Sequence, residues 1–265
     1  MDELKLLYVQ ADLIWQNAKR NRQVFEEIIL KEAPGNHLVV LPETFTTGFP
    51  VDPLPYAEPV EGETIQWMAR MAAQSGAVIC GSLLLKAGND FTNSLIWMPP
   101  NGQFQRYDKR HVFSMGGEDE KIKPGKEALI VECNGWKIKP MVCYDLRFPV
   151  WSKNRYQDGK FEYDLAVYVA NWPEVRAYPW KVLLKARAIE NQCYVLGVNR
   201  VGKDGLNNYY GGHSQLIDAK GNVVSEAADG KTAVIKEVIS KEALIRFREK
   251  FDVGRDWDHF TLRVD

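Results

Sequence analysis

The chain has 265 residues, 45% hydrophobic and 26% charged, a balance that suits a soluble globular protein with a sizeable core and excludes disordered and membrane classes. With 34 Lys plus Arg against 35 Asp plus Glu the net charge is -1, so no global field recruits nucleic acid or anionic lipid, and a small-molecule partner fits better. No run approaches the ~20 apolar residues of a membrane span. The opening MDELKLLYVQ has no basic segment or long apolar stretch of a secretory signal, and Cys80, Cys133, Cys143 and Cys193 are scattered without a CxxC pair, so the expected location is a reducing cytoplasm.

Lys5 to Ala11 reads as a strand and Gln16 to Lys31 as a helix, followed by the strand HLVVL, which runs straight into Pro42 and Glu43. A second helix is predicted from Glu63 to Gln74, ahead of the buried-looking strand AVICGSLLL. Two stretches, NSLIWMPPNGQFQRY and ALIVECNGWKIKPMVC, carry Asn-Gly between apolar strands, so each forms a hairpin and the sheets are mixed rather than wholly parallel. YDLAVYVAN then reads as a strand, Trp180 to Asn191 as a helix, CYVLGVN as a strand, HSQLIDAKGNVV as a hairpin and Lys241 to Lys250 as the last helix. No linker, low-complexity tract or internal repeat interrupts this order. The expectation is one domain over residues 1–265, a layered α/β protein with sheets in the middle and helices outside.

Common phosphate-loop, dinucleotide and zinc-protease motifs are missing, and GGHSQ lacks the second glycine of a nucleophile elbow. The four histidines are as scattered as the cysteines, so neither a metal nor an organic cofactor is expected. Three polar residues instead stand immediately after apolar strands: Glu43 after HLVVLP, Lys109 after QFQRYD and Cys143 after KIKPMV. Strand ends are where α/β folds build sites, because the backbone stops pairing and side chains converge in a cleft. Taken singly, the cysteine is an inert core residue and the other two are solvated charges. Together they supply a carboxylate base, a cation and a thiol, and a thiol of pKa ~8.5 needs such company to act as a nucleophile at neutral pH. Lys109, with a backbone N–H such as that of Tyr144, could hold the oxyanion formed when the thiol attacks a carbonyl.

The segments LPETFTTGF, YDKRHVF and VCYDLRFPVW, in this order, resemble the glutamate, lysine and cysteine segments of the nitrilase superfamily of carbon-nitrogen hydrolases, and the wording around Cys143 with ARAIENQCYV resembles its ω-amidase branch. The resemblance implies a four-layer αββα sandwich that dimerises. It assigns Glu43 as general base, Lys109 as oxyanion-stabilising cation and Cys143 as nucleophile, with the Tyr144 N–H assisting. A supporting glutamate seven positions before a glycine corresponds to Glu118, before Gly125, although Asp119 and Glu120 stand beside it and a solvated charged loop is the alternative. Arg147, four after the cysteine, is expected at the substrate's carboxylate, or else in an ion pair with Asp145 or another acid. Trp172 is expected against the substrate, or in ordinary packing. One departure is Pro179-Trp180, where many relatives carry His-Trp. His111 reads as a structural hydrogen-bonder rather than a second base. The implied reaction is hydrolysis of the terminal amide of a small α-keto acid ω-amide, such as 2-oxoglutaramate or 2-oxosuccinamate, to ammonia and the 2-oxo dicarboxylic acid. Deaminated-glutathione, carbamoyl-amine and nitrile hydrolysis are alternatives served by the same residues, as is a catalytically weak binding protein.

Overall fold

A computed structural model describes residues 3–50 and 52–264. Alternation of side chains across the first strand, β1 (Glu3–Gln10), sets the layering. Leu4, Leu6 and Tyr8 face a core shared with the second half of the chain, whereas Leu7 and Val9 face helices α1 (Ala18–Glu32) and α2 (Glu63–Ser75). The next strands, β2 (Leu38–Val40) and β3 (Val78–Ala87), repeat the pattern, with Val40 and Cys80 inward and Val39 and Ile79 toward the helices. Both faces are covered, which is why these strands read as unbroken apolar runs.

β1, β2 and β3 are mutually parallel and joined through α1 and α2. The antiparallel strands β4 (Asp90–Met98) and β5 (Gln105–Asp108) extend this sheet on one side. The second sheet begins with β6 (Val131–Cys133) and β7 (Trp136–Val142), a hairpin turning at Asn134-Gly135. Then come β8 (Leu165–Ala170), helix α3 (Ala177–Asn191) and β9 (Tyr194–Asn199), with β7, β8 and β9 parallel. The hairpin β10 (Gln215–Ile217) and β11 (Val223–Glu226) adds to the far side of β9. The chain then returns to the first sheet as β12 (Ala233–Ser240), antiparallel to β1, before helix α4 (Lys241–Lys250). Trp136, Ile138, Val167 and Tyr168 from the second sheet pack with Leu6, Tyr8 and Val40 from the first. Two mixed sheets thus lie face to face with helices outside, the αββα sandwich that the sequence led us to expect.

Most elements stand where the sequence places them, and the differences have local causes. Helix α1 starts at Ala18 rather than Gln16 because Gln16 has a positive φ of 54° and Asn17 caps the helix, its side chain accepting from the Arg20 N–H. Helix α3 starts at Ala177, before Pro179, since a proline in the first turn gives up an N–H that has no intrahelical partner anyway. β12 was not anticipated. Among the described residues no helix is long and apolar enough to cross a membrane, and all four cysteines are free.

Candidate active site

β2, β7 and β8 are parallel within their sheets, and the residues just past their carboxyl ends converge. Glu43 follows β2 after Leu41-Pro42, Cys143 follows β7 directly, and Asn171-Trp172 follow β8. Two of these exits are strained: Thr44 and Cys143 hold left-handed φ values of 39° and 43°, conformations that side-chain-bearing residues adopt only when their surroundings enforce them. At Cys143 the enforcement comes from Asp145, fully buried in the turn Cys143–Arg147. Asp145 Oδ2 accepts from the Val142 N–H at 3.0 Å and from the Tyr107 hydroxyl at 2.7 Å, while Oδ1 accepts from the His111 N–H at 2.9 Å. One carboxylate therefore ties the cysteine turn to the segment that carries Lys109.

His111 completes this brace. Its Nδ1 lies 2.8 Å from Asp145 Oδ1 and its ring stacks on Phe148 with centroids 3.7 Å apart, so it serves structure, as expected.

Lys109, Glu43 and Glu118 form a buried charged cluster. Lys109 Nζ lies 3.0 Å from Glu43 Oε1 and 3.1 and 2.9 Å from the two Glu118 oxygens. Glu118 is 3% exposed whereas Asp119 and Glu120 point outward, which decides which acid of EDE meets the lysine. The seven-residue spacing to Gly125 has a steric origin. The Gly125 N–H donates to the Lys109 carbonyl at 2.9 Å, and any Cβ there would collide with the Asp108 carbonyl. Burial alone would push the Lys109 ammonium down, but the Glu118 and Glu43 charges outweigh it and hold the lysine well above its ordinary value. Burial, despite Lys109, raises the Glu118 carboxyl.

Two residues not anticipated from sequence complete the cluster. Asn93, on β4, donates from Nδ2 to Glu43 Oε1 at 2.9 Å and to Glu118 Oε1 at 3.4 Å. The Asn171 N–H donates to Glu43 Oε2 at 2.7 Å, while its Nδ2 donates to the Glu43 carbonyl at 2.7 Å. The signal for Asn171 was available, since it ends an apolar strand as Cys143 does. Asn93, a lone polar residue within a buried strand, had no such mark.

The Cys143 thiol is half-buried and donates to the Asn171 carbonyl, 4.0 Å from its sulfur. Burial and the Glu43 charge push it well above its ordinary value, against the pull of Lys109. The site at rest thus holds a neutral thiol beside a carboxylate whose other contacts fix its orientation.

A cavity of about 470 Å³ opens over the sulfur, lined by Glu43, Lys109, Cys143, Tyr144, Arg147 and Trp172, among others. Every residue singled out from the sequence reaches this cavity or, like Glu118, stands behind it. The Tyr144 ring packs edge-on against Phe113 and Phe148, each with centroids 5.1 Å away, and its N–H lies in the first turn of a short 3-10 helix, where N–H groups lack intrahelical partners. Arg147 is not paired with Asp145, whose oxygens are otherwise occupied; its guanidinium lies over Trp172, 4.9 Å from the ring centroid, and makes no ion pair among the described residues. Trp172 donates its Nε1 H to the Arg176 carbonyl at 2.7 Å. Trp180, which follows Pro179 at the departure from the relatives' His-Trp, is fully buried and donates to the His213 carbonyl at 2.8 Å.

Such an arrangement can perform acyl transfer: a nucleophile with an adjacent base, a buried cation at the same point, and a cation farther along the cavity for an anionic group. Comparison with known proteins agrees. The carbon-nitrogen hydrolase family model matches residues 8–249. Omega-amidase YafV of Yersinia enterocolitica is 44% identical over 262 residues, covering 99% of this chain and 100% of that protein. The 2-oxoglutaramate amidase of Bacillus subtilis is 32% identical over 251 residues, 94% of this chain and 95% of that one. Among solved structures, a CN-hydrolase superfamily protein of Xanthomonas campestris, with an arsenic adduct in its active site, is 43% identical with a TM-score of 0.96, covering 99% of this chain and 100% of its own. With a family match over most of its length and relatives this similar along their whole extent, the chain belongs to the carbon-nitrogen hydrolase family.

Proposed function

We propose that this protein is an ω-amidase, which hydrolyses the terminal amide of a small α-keto acid ω-amide such as 2-oxosuccinamate or 2-oxoglutaramate. The observation that carries the reading is Arg147, a guanidinium without an acid partner in the wall of the cavity that begins at Cys143. A planar fork of donors in that position suits a substrate carboxylate. The relatives named for omega-amidase and 2-oxoglutaramate amidase activity support the same substrate class.

In this mechanism the Cys143 sulfur attacks the amide carbon while its proton passes to Glu43. The electron pair of the C=O bond moves onto oxygen, and the resulting oxyanion is held by the Lys109 ammonium and the Tyr144 N–H. Glu43 then protonates the nitrogen, the C–N bond breaks and ammonia leaves, with Cys143 carrying the acyl group as a thioester. Water attacks next, gives its proton to Glu43, and the C–S bond breaks as the proton returns to sulfur. Glu118 holds Lys109 in place, and Trp172 backs Arg147. Each proton released is taken up within the cycle, so no cofactor is needed. The free thiols suit a reducing cytoplasm. We further propose a homodimer, formed through exposed apolar residues on helix α3.

Ammonia release from a panel of 2-oxosuccinamate, 2-oxoglutaramate, a carbamoyl amine, a nitrile and deaminated glutathione tests the reading. The two ω-amides should turn over fastest, and Cys143→Ala should lose at least about a thousandfold in kcat. Preference for any of the other three would overturn the substrate class, and retained turnover in Cys143→Ala would remove the nucleophile.

A further inference from the structure

Arg147 is not the only cation in the cavity wall that lacks an acid. Arg176, at the end of the short turn Glu174–Arg176 after β8, lines the same cavity. Its guanidinium lies 5.3 Å from the centroid of the Phe113 ring and makes no ion pair among the described residues.

The nearby acids are all committed elsewhere. Glu174, two residues away, lies 2.8 Å from His213 Nε2. Asp204, which also lines the cavity, is saturated: its Oδ1 accepts from the Leu206 and Asn208 N–H groups, and its Oδ2 from Asn208 Nδ2 and the Tyr210 hydroxyl, all at 2.9 Å. Glu43 and Glu118 hold Lys109. Yet the backbone that carries Arg176 is fixed. Its N–H donates to the Pro173 carbonyl at 3.0 Å, and its carbonyl accepts from Trp172 Nε1 at 2.7 Å. Trp172 therefore joins the two arginines, with Arg147 over its ring and the Arg176 carbonyl at its polar edge.

We propose that Arg176 is a second specificity-determining residue, which donates to the 2-oxo oxygen of the substrate beside the carboxylate held by Arg147. The proposal rests on the ω-amidase reading and deepens it. A carboxylate fills one guanidinium fork. An α-keto acid offers, on the adjacent carbon, an acceptor with no proton to give, and a charged donor meets it better than a hydroxyl or an amide would. Charge favours the same assignment. The bottom of the cavity sets two carboxyl groups, Glu43 and Glu118, against the single ammonium of Lys109, so cations farther out favour the entry of an anionic substrate. Arg147 and Arg176 supply them.

The experiment compares kcat/KM for 2-oxosuccinamate and for succinamate, which keeps the carboxylate and the amide but has CH2 in place of the 2-oxo carbon, in wild type, Arg176→Met, Arg176→Lys and Arg147→Met. Arg176→Met should lose about 10- to 100-fold more on 2-oxosuccinamate than on succinamate, the worth of a hydrogen bond to a charged donor. Arg176→Lys should recover part of that difference, and Arg147→Met should lose equally on both. Equal losses on both substrates in Arg176→Met, or none on either, would overturn the assignment. A wild-type enzyme that releases no ammonia from 2-oxosuccinamate would instead sink the ω-amidase reading itself. The rate of Cys143 alkylation should stay at the wild-type value in Arg176→Met and Arg176→Lys; a changed rate in both would make Arg176 a structural support of the cavity and overturn the assignment.

Discussion

Cys143 keeps its proton at rest because burial and the adjacent Glu43 charge both oppose a thiolate, and Lys109 only partly offsets them. The thiol is thus not pre-ionised; it becomes a nucleophile as the proposed base takes its proton. This has a measurable sign. In Glu43→Gln both the opposing charge and the proton acceptor are gone while Lys109 remains, so the Cys143 pKa should fall and thiolate absorbance should appear at lower pH than in wild type. Cys133 and Cys193, each pushed up to about 12 by burial, stay silent over the same range. A titration unchanged or moved upward in Glu43→Gln would contradict this account. The same variant should lose about 100- to 10,000-fold in kcat, since a more ionised thiol does not replace the proposed base, whose part is also to protonate the leaving nitrogen and activate water. What the sequence revealed at this scale was residue type next to strand end, which marks Glu43, Lys109 and Cys143. It could not reveal Asn93, whose partner Glu43 lies 50 residues away, or Asp145, whose bond to His111 spans 34 residues and joins the two sheets.

Between strands, the loop that follows β5 acts as a positioning device. Its short 3-10 turn Glu118–Glu120 presents one acid inward and two outward, and Gly125 clips the loop back onto Lys109. Glu118→Gln should therefore lower kcat by at least about tenfold, because Lys109, the proposed oxyanion cation, loses an anchor, and lower stability by about 3 kcal/mol, because a buried charge loses a partner. Asp119→Asn and Glu120→Gln, in contact with solvent, should leave both within error. Steady-state ammonia release and thermal melts of the three variants decide this, and comparable effects for all three would return the loop to the solvated reading. Element existence was legible here for a simple reason: strands buried on both faces spell continuous apolar runs, and Asn-Gly marks hairpins. β12 escaped because it is an edge strand, AVIKEVIS, with alternate residues exposed and charges inside it. The β3–β4 ladder, nine residue pairs long, was also missed, although Gly88-Asn89 at its turn carried a hairpin signal.

For the whole molecule, the sandwich leaves helix α3 with an inner face of Trp180, Leu184 and Ala188 and an outer face that is not polar. Tyr178, Val182 and Ile189 recur at helical spacing on that outer face, Val175 precedes them, and Val223 and Val224 of β11 are exposed as well. Lys181 reaches Glu226 across this side at 3.4 Å, so helix and strand belong to one surface. Apolar exposure grouped on one side of the molecule suits an interface, and for the homodimer we propose it gives both copies the same self-complementary surface. Tyr178→Asp with Val182→Asp should convert a species of twice the chain mass to a single chain in sedimentation equilibrium, without loss of secondary structure. Unchanged mass would place the interface elsewhere, and a wild-type protein that sediments as one chain would remove the dimer. Val175 lines both this patch and the cavity, and it stands between Glu174 and Arg176 in the chain. Separation of the copies should therefore weaken KM for 2-oxosuccinamate more than it lowers kcat, because the partner would steady the turn that carries Arg176 while leaving Glu43, Lys109 and Cys143, buried between the sheets, undisturbed.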